Sequence, residues 1–99
     1  MNIEILDAAR EDLVEGGNFY ERRETGLGDY FLDCLFSDVE SLILFAGVHP
    51  IFYGLHRSLS KRFPFAIYYA VAGDFIRVYA VLDCRRRPAW IRKRVDSSR

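Results

Sequence analysis

Apolar positions along the chain change their spacing twice, and each change marks a boundary between elements. Met1 to Leu6 is a short apolar run carrying β-branched Ile3 and Ile5, which predicts a strand. Asp7 suits a helix N-cap, and beyond it Ala9, Leu13, Gly16 and Tyr20 fall on one helical face that runs to about Arg23. Gly16 and Gly17 interrupt that helix at about 1 kcal/mol each relative to alanine, so they mark either close backbone packing or a kink. Gly26-Leu27-Gly28 ends it. From about Asp29 a second stripe forms from Leu32, Leu35, Val39, Leu42 and Ala46, widened by Phe31, Phe36, Ile43 and Phe45, and Gly47 and Pro50 stop it. Two helices joined by a glycine-rich turn predict an αα-hairpin.

After Pro50 the period falls to two. Ile51 to Leu59 reads as one strand, Ser58 to Lys61 as a turn, Phe65 to Ala72 as a second strand, Gly73-Asp74 as a hairpin turn and Phe75 to Asp83 as the return strand. The predicted fold is therefore α+β, in the order β-α-α-β-β-β: an antiparallel sheet with a helical hairpin packed on one face. Pairing Ala72 with Phe75 sets a register in which Val71/Ile76, Tyr69/Val78, Ile67/Ala80 and Phe65/Leu82 lie under the helices. The opposite face then carries Ala70/Arg77, Tyr68/Tyr79 and Ala66/Val81. With two helices available, that face is expected to be uncovered: either a receiving surface or a partly solvated sheet face.

The stretch Arg85-Arg86-Arg87-Pro88-Ala89-Trp90-Ile91-Arg92-Lys93-Arg94 follows directly, opening a basic C-terminal tail over residues 85–99. A cationic segment with an interleaved ring grips phosphates while the ring stacks on a base, or binds an acidic protein surface, or is a solvated end.

Length and composition bound these readings. A chain of 99 residues, about half of them hydrophobic, is a single domain with apolar surface enough for a core without disulfides or metal. The net charge of zero excludes a globally basic nucleic-acid binder, yet residues 1–50 hold 11 acids and 3 bases while residues 51–99 hold 3 acids and 11 bases. Such a split points to a polyanionic partner for the basic half, or to acids coating helices and bases coating a sheet edge. The longest near-apolar stretch, Phe63 to Gly73, is about half of what a bilayer needs and contains Pro64, so no membrane association is expected. Met1-Asn2-Ile3-Glu4 has neither a basic nor an apolar leader pattern, and Cys34 and Cys84 are far apart, which together predict a cytoplasmic protein with reduced thiols. No spacing suits a metal, and no phosphate loop or nucleophile elbow is present, so neither metal nor cofactor is expected. His49 is expected at a helix end or in a loop. His56 is read as structural or surface, with general-base chemistry as its alternative.

Taken together, Gly26-Leu27-Gly28 followed by Phe31 and Leu32, then Arg57, then Lys61-Arg62-Phe63-Pro64-Phe65-Ala66-Ile67-Tyr68-Tyr69, then Ala80-Val81-Leu82 and Arg85-Arg86-Arg87-Pro88 with Trp90, resemble the RelE/ParE superfamily of type II toxin–antitoxin toxins. The resemblance runs from about Asp7 to Trp90. It implies a small bacterial or archaeal growth-inhibiting toxin of the plasmid-stabilisation kind, silenced by a cognate antitoxin. RelE-like members cut mRNA on the ribosome without a metal, and ParE-like members poison DNA gyrase; the fold does not choose between these targets. In the RelE-like chemistry arginines and lysines steady a phosphate while a C-terminal tyrosine assists proton transfer. The family arginine of the third strand falls on Ala66 or Phe65, and the tyrosine falls near Trp90, whose indole has no phenolic proton to exchange. Arg85 or Arg86 matches the arginine after the last strand, and Arg57 and Arg62 are candidate replacement phosphate clamps, with Tyr68 or Tyr79 as a hydroxyl. These departures favour a binding-type toxin, with RNA cleavage or a non-toxic relative as alternatives. The expected target-binding residues are Arg57, Arg62, Tyr68, Arg77, Tyr79, Arg85, Arg86, Arg87 and Trp90.

Overall fold

The computed structural model describes all of residues 1–99. In chain order the elements are β1 (Asn2–Ile5), α1 (Asp7–Arg23), α2 (Leu27–Glu40), the single turn α3 (Leu42–Phe45), β2 (Ile51–Phe52), β3 (Leu55–Leu59), β4 (Phe65–Ala72), β5 (Phe75–Asp83) and α4 (Pro88–Ser98). The fold is α+β, a five-stranded sheet in the order β1-β5-β4-β3-β2.

The αα-hairpin forms where the apolar stripes place it. Gly16 and Gly28 are sites of close packing, and α1 runs on without a break. A Cβ at Gly16 would stand 2.6 Å from the Phe31 ring, and one at Gly28 would stand 2.5 Å from the carbonyl oxygen of Gly17. The turn is closed by the Glu21 carboxylate, which accepts the backbone N–H groups of Gly26 and Gly28 at 3.0 Å and so satisfies donors at the start of α2. Beneath the hairpin lies a core of 12 buried residues, with Phe31, Leu35 and Leu42 of the helical layer on Ile67, Tyr69, Ile76 and Val78 of the sheet.

Four expectations are corrected. First, the sheet is mixed: β1 pairs in parallel with β5, Ile3 opposite Ile76 and Ile5 opposite Val78, because α1 and α2 carry the chain across the sheet between them. Second, residues 51–59 are two strands. Tyr53 and Gly54 both take positive φ, 56° and 85°, the geometry of a tight two-residue hairpin turn that reverses the chain between β2 and β3. Third, the β4–β5 register holds from Ala72/Phe75 to Tyr69/Val78, then shifts: Tyr68 faces Ala80, Ile67 faces Val81 and Ala66 faces Leu82. Tyr79 is the extra residue of a β-bulge, and an insertion of one residue exchanges the faces of everything beyond it. Val81 therefore joins the core under the αα-hairpin, and Ala80 and Leu82 turn to the other side. Tyr68 and Tyr79 are not a cross-strand pair.

Fourth, that other side is covered. Residues 88–98 are not a solvated tail but α4, which begins with Pro88 at its first turn and lays Ile91 and Val95 on the sheet. A second core of seven buried residues results, Leu55, Ala66, Tyr68, Ala80 and Leu82 with Ile91 and Val95. The helix is anchored to α1 by Arg94, which donates to a carboxylate oxygen of Asp12 at 2.6 Å and to the carbonyl oxygen of Ala8 at 3.0 Å. Asp12 also accepts the Val81 N–H at 3.0 Å, on the outer edge of β5 where β1 has already ended. One carboxylate thus ties α1, β5 and α4 together. Burial pushes the Asp12 carboxyl upward, against the pull of Val81 and Arg94 in the other direction.

Candidate macromolecule-binding site

The expected binding residues do not form one surface. Arg77 lies on β5 opposite Glu4 of β1 and binds its carboxylate at 2.8 Å. Arg62 stands exposed in the loop between β3 and β4. Tyr68 is only 3% exposed, beneath α4, and Tyr79 is half-buried against the same cluster. The uncovered tyrosine face expected from the sequence does not exist, because a third long helix occupies it.

Arg57 stays with Tyr68. The two are register partners on β3 and β4, and the Arg57 guanidinium lies 3.9 Å over the Phe52 ring, with its Nε buried and without a hydrogen-bond partner. Burial raises the Tyr68 phenol above its ordinary value although Arg57 pulls the other way, and burial raises the Cys84 thiol as well. Both groups hold their protons at neutral pH, which suits packing and hydrogen bonding better than proton abstraction.

Arg85, Arg86, Arg87 and Trp90 do come together, where β5 runs into α4. Arg85 is bound to Asp83 at 2.7 Å and 3.0 Å, which lowers the Asp83 carboxyl and raises the arginine. Arg86 folds back so that its guanidinium sits 4.2 Å from the Trp90 ring, a cation–π pair on a ring that is 39% exposed. Arg87 is the exposed N-cap of α4.

Facing them is a group that sequence reasoning missed. Arg22 and Arg23 close α1, and the Arg23 guanidinium lies 4.6 Å from the Phe19 ring one turn earlier. Phe19 and Arg22 of α1, with Arg86 and Trp90 across from them, line a groove of about 410 Å³ floored by Phe65 and Val81. The Phe19/Arg23 spacing of four was visible in the sequence, but the arginines read as ordinary helix-end cations.

This arrangement sorts the charge split of the sequence. Glu4–Arg77 and Asp12–Arg94 join the acidic half to the basic half, so part of the split is an internal complement. Arg22, Arg23, Arg86 and Arg87 form no ion pair; Arg22 and Arg86 line the groove beside the half-buried Phe19 and the exposed Trp90. Guanidinium planes stacked on rings are preorganised to meet carboxylates or phosphates.

The two histidines serve the fold. Gly47 N–H donates to the Tyr69 hydroxyl at 2.9 Å, that hydroxyl donates to His49 Nδ1 at 2.5 Å, and His56 Nδ1 donates to the His49 carbonyl at 2.7 Å while its ring stacks on Tyr69. Burial lowers the His49 pKa, with the nearby His56 acting in the same sense. No cluster of His, Cys, Asp or Glu suited to a metal is present, and no helix is long and apolar enough to cross a membrane.

The α+β fold that the sequence led one to expect is shared with a solved structure. Among solved structures, a chain of the chromosomal ParDE TA system from P. aeruginosa superposes with a TM-score of 0.69 at 18% identity, over 82% of this chain and 92% of that one. No protein-family model matches the sequence. No curated protein matches it either.

Proposed function

We propose that this chain is the toxin component of a type II toxin–antitoxin module, a binding-type growth inhibitor neutralised by a cognate antitoxin. The observation that carries the reading is the shared fold with a chain of a ParDE toxin–antitoxin system over most of both lengths. The site residues support a binding mode. The ring-stacked arginines and the exposed Trp90 at the α1–α4 groove offer contact chemistry for a macromolecule, with DNA gyrase as the target class that the ParE likeness suggests. Arg85, Arg86, Arg87 and Trp90, with Arg22 and Arg23, are the contact set of this reading; Arg57 and Arg62 lie outside that surface.

Two features argue against RNA cleavage as the activity. Ala66 and Phe65, on one of which the RelE-like strand arginine would fall, are both buried, Ala66 under α4 and Phe65 under the αα-hairpin. Tyr68, the phenol beside Arg57, is buried and held in its protonated form.

Induction of the chain alone should arrest growth, and co-induction with the neighbouring reading frame should restore it. Purified protein should inhibit DNA supercoiling by gyrase, and primer extension on a translated message should show no codon-associated breaks. Normal growth on induction removes the toxin reading; codon-associated breaks replace the gyrase target with the ribosome.

A further inference from the structure

The groove between α1 and α4 has features that a generic charged surface lacks. β1 reaches only as far as Val78 along β5, so the outer edge of β5 from Tyr79 to Asp83 has no neighbouring strand. Here the sheet edge itself forms part of the floor, where Val81 and Phe65 line it as side chains almost wholly buried in the hairpin core. Phe19 and Trp90 stand as aromatic walls, each overlaid by an arginine, Arg23 and Arg86. At about 410 Å³ the space lies within the range of sites that bury a small ligand or a peptide side chain.

The charges select the occupant. Asp12 and Asp83 both line the groove, but Arg94 and Arg85 already engage them. Glu15 is then the one uncommitted carboxylate there, against Arg22 and Arg86. The balance is cationic between two aromatic walls. We propose that this groove binds an acidic peptide segment of a protein partner, with an aromatic residue as its anchor between Phe19 and Trp90 and flanking carboxylates on Arg22 and Arg86. This deepens the toxin–antitoxin reading by naming the chemistry of the partner's segment, and it rests on that reading only for the partner's identity.

Trp90 is the sole tryptophan of the chain, so its fluorescence reports on the groove directly. The test titrates three capped peptides against the full chain: Ac-Glu-Asp-Phe-Glu-Asp-NH2, its neutral counterpart with Gln and Asn for the acids, and the acidic peptide with Gly for Phe. The first should give a saturable change, and each of the others should bind about tenfold more weakly, the scale of losing a charge-assisted contact or an apolar anchor. Arg22→Gln and Arg86→Gln, both exposed and outside the cores, should weaken the first peptide several-fold with unchanged melting temperatures. Lys61→Gln, in the β3–β4 loop, should not.

Equal binding of acidic and neutral peptides, no saturable change, or equal weakening by Lys61→Gln overturns the proposal. So does a single-stranded oligothymidylate that displaces the peptide and depends on Arg86 alike, which would give the groove to nucleic acid. Growth assays fail independently. A chain that binds the peptide without arresting growth keeps the groove and loses the toxin reading, and the reverse result does the opposite.

Discussion

The two faces of the sheet use the same strands and differ in almost everything else. The face under the αα-hairpin buries 12 residues, most of them large and apolar, and its cover arrives early in the chain with two long helices. The face under α4 buries seven, includes two alanines and the polar Tyr68, borders the unpartnered Nε of Arg57, and is closed by one basic helix at the very end. A strand pair can thus belong to two cores of unequal depth. The shallower core is bordered by cations, because its covering helix buries only Ile91 and Val95 and carries Arg92, Lys93 and Arg94 between them.

If that contrast is right, substitutions should rank by face. Leu35→Ala, in the fully buried layer of the hairpin, should cost about 3–4 kcal/mol in urea unfolding. Ile91→Ala on α4 should cost about 2 kcal/mol, at the low end for such a truncation because the residue keeps 8% exposure and has fewer neighbours to lose. Equal losses would mean that the two cores are equally deep.

Arg94→Met removes the inter-helix ion pair and leaves the Asp12 carboxylate largely desolvated. The expected loss is about 2 kcal/mol, less than for a fully buried pair because the arginine keeps 20% side-chain exposure. Amide exchange should then accelerate in α4 before it does in α2. Uniform acceleration would show that α4 is no separate unit.

A pH series separates the faces in another way, since His49 bonds to Tyr69 on the hairpin side. Its folded pKa lies below the ordinary 6.5, so the unfolded chain takes up the proton first. The contribution of this group is complete above the unfolded value and declines as the pH falls through 6.5 toward the folded one. Melting temperature should drop from pH 7.5 to pH 5, and His49→Gln should flatten the profile; an unchanged slope would remove His49 as its cause. The smallest effect belongs to Glu4–Arg77, a surface pair with both partners nearly half exposed. Arg77→Ala should change stability by no more than about 0.5 kcal/mol, and a larger loss would mean that β1 depends on that pair.

The same contrast explains what could be read in advance. The αα-hairpin was legible because Leu32, Leu35, Val39 and Leu42 keep strict helical spacing, and the β4–β5 turn because Gly73-Asp74 interrupts two alternating runs. The bulge at Tyr79 was not. Val78 to Leu82 is apolar at every position, so either register buries hydrophobic side chains and alternation cannot choose between them. The Tyr53-Gly54 turn hid behind a tyrosine, a residue type that favours strands and that here takes positive φ. α4 hid behind its charges: Pro88 at a first helical position and the Ile91/Val95 spacing were present, but the dense cations around them resemble a solvated end. Missing α4 exposed the wrong face, which is why Tyr68 and Tyr79 were placed on a binding surface and Arg22 and Arg23 were not.

The parallel contact between β1 and β5 also bears on how the chain is born. Ile3 leaves the ribosome well before its partner Ile76 is made. Until then β1 has no strand to join and the apolar floor of the helices has no sheet beneath it. Such long separation between contacting residues slows folding and leaves the nascent chain open to capture. A partner already present while β5 is still unmade would therefore meet this protein at its least finished moment.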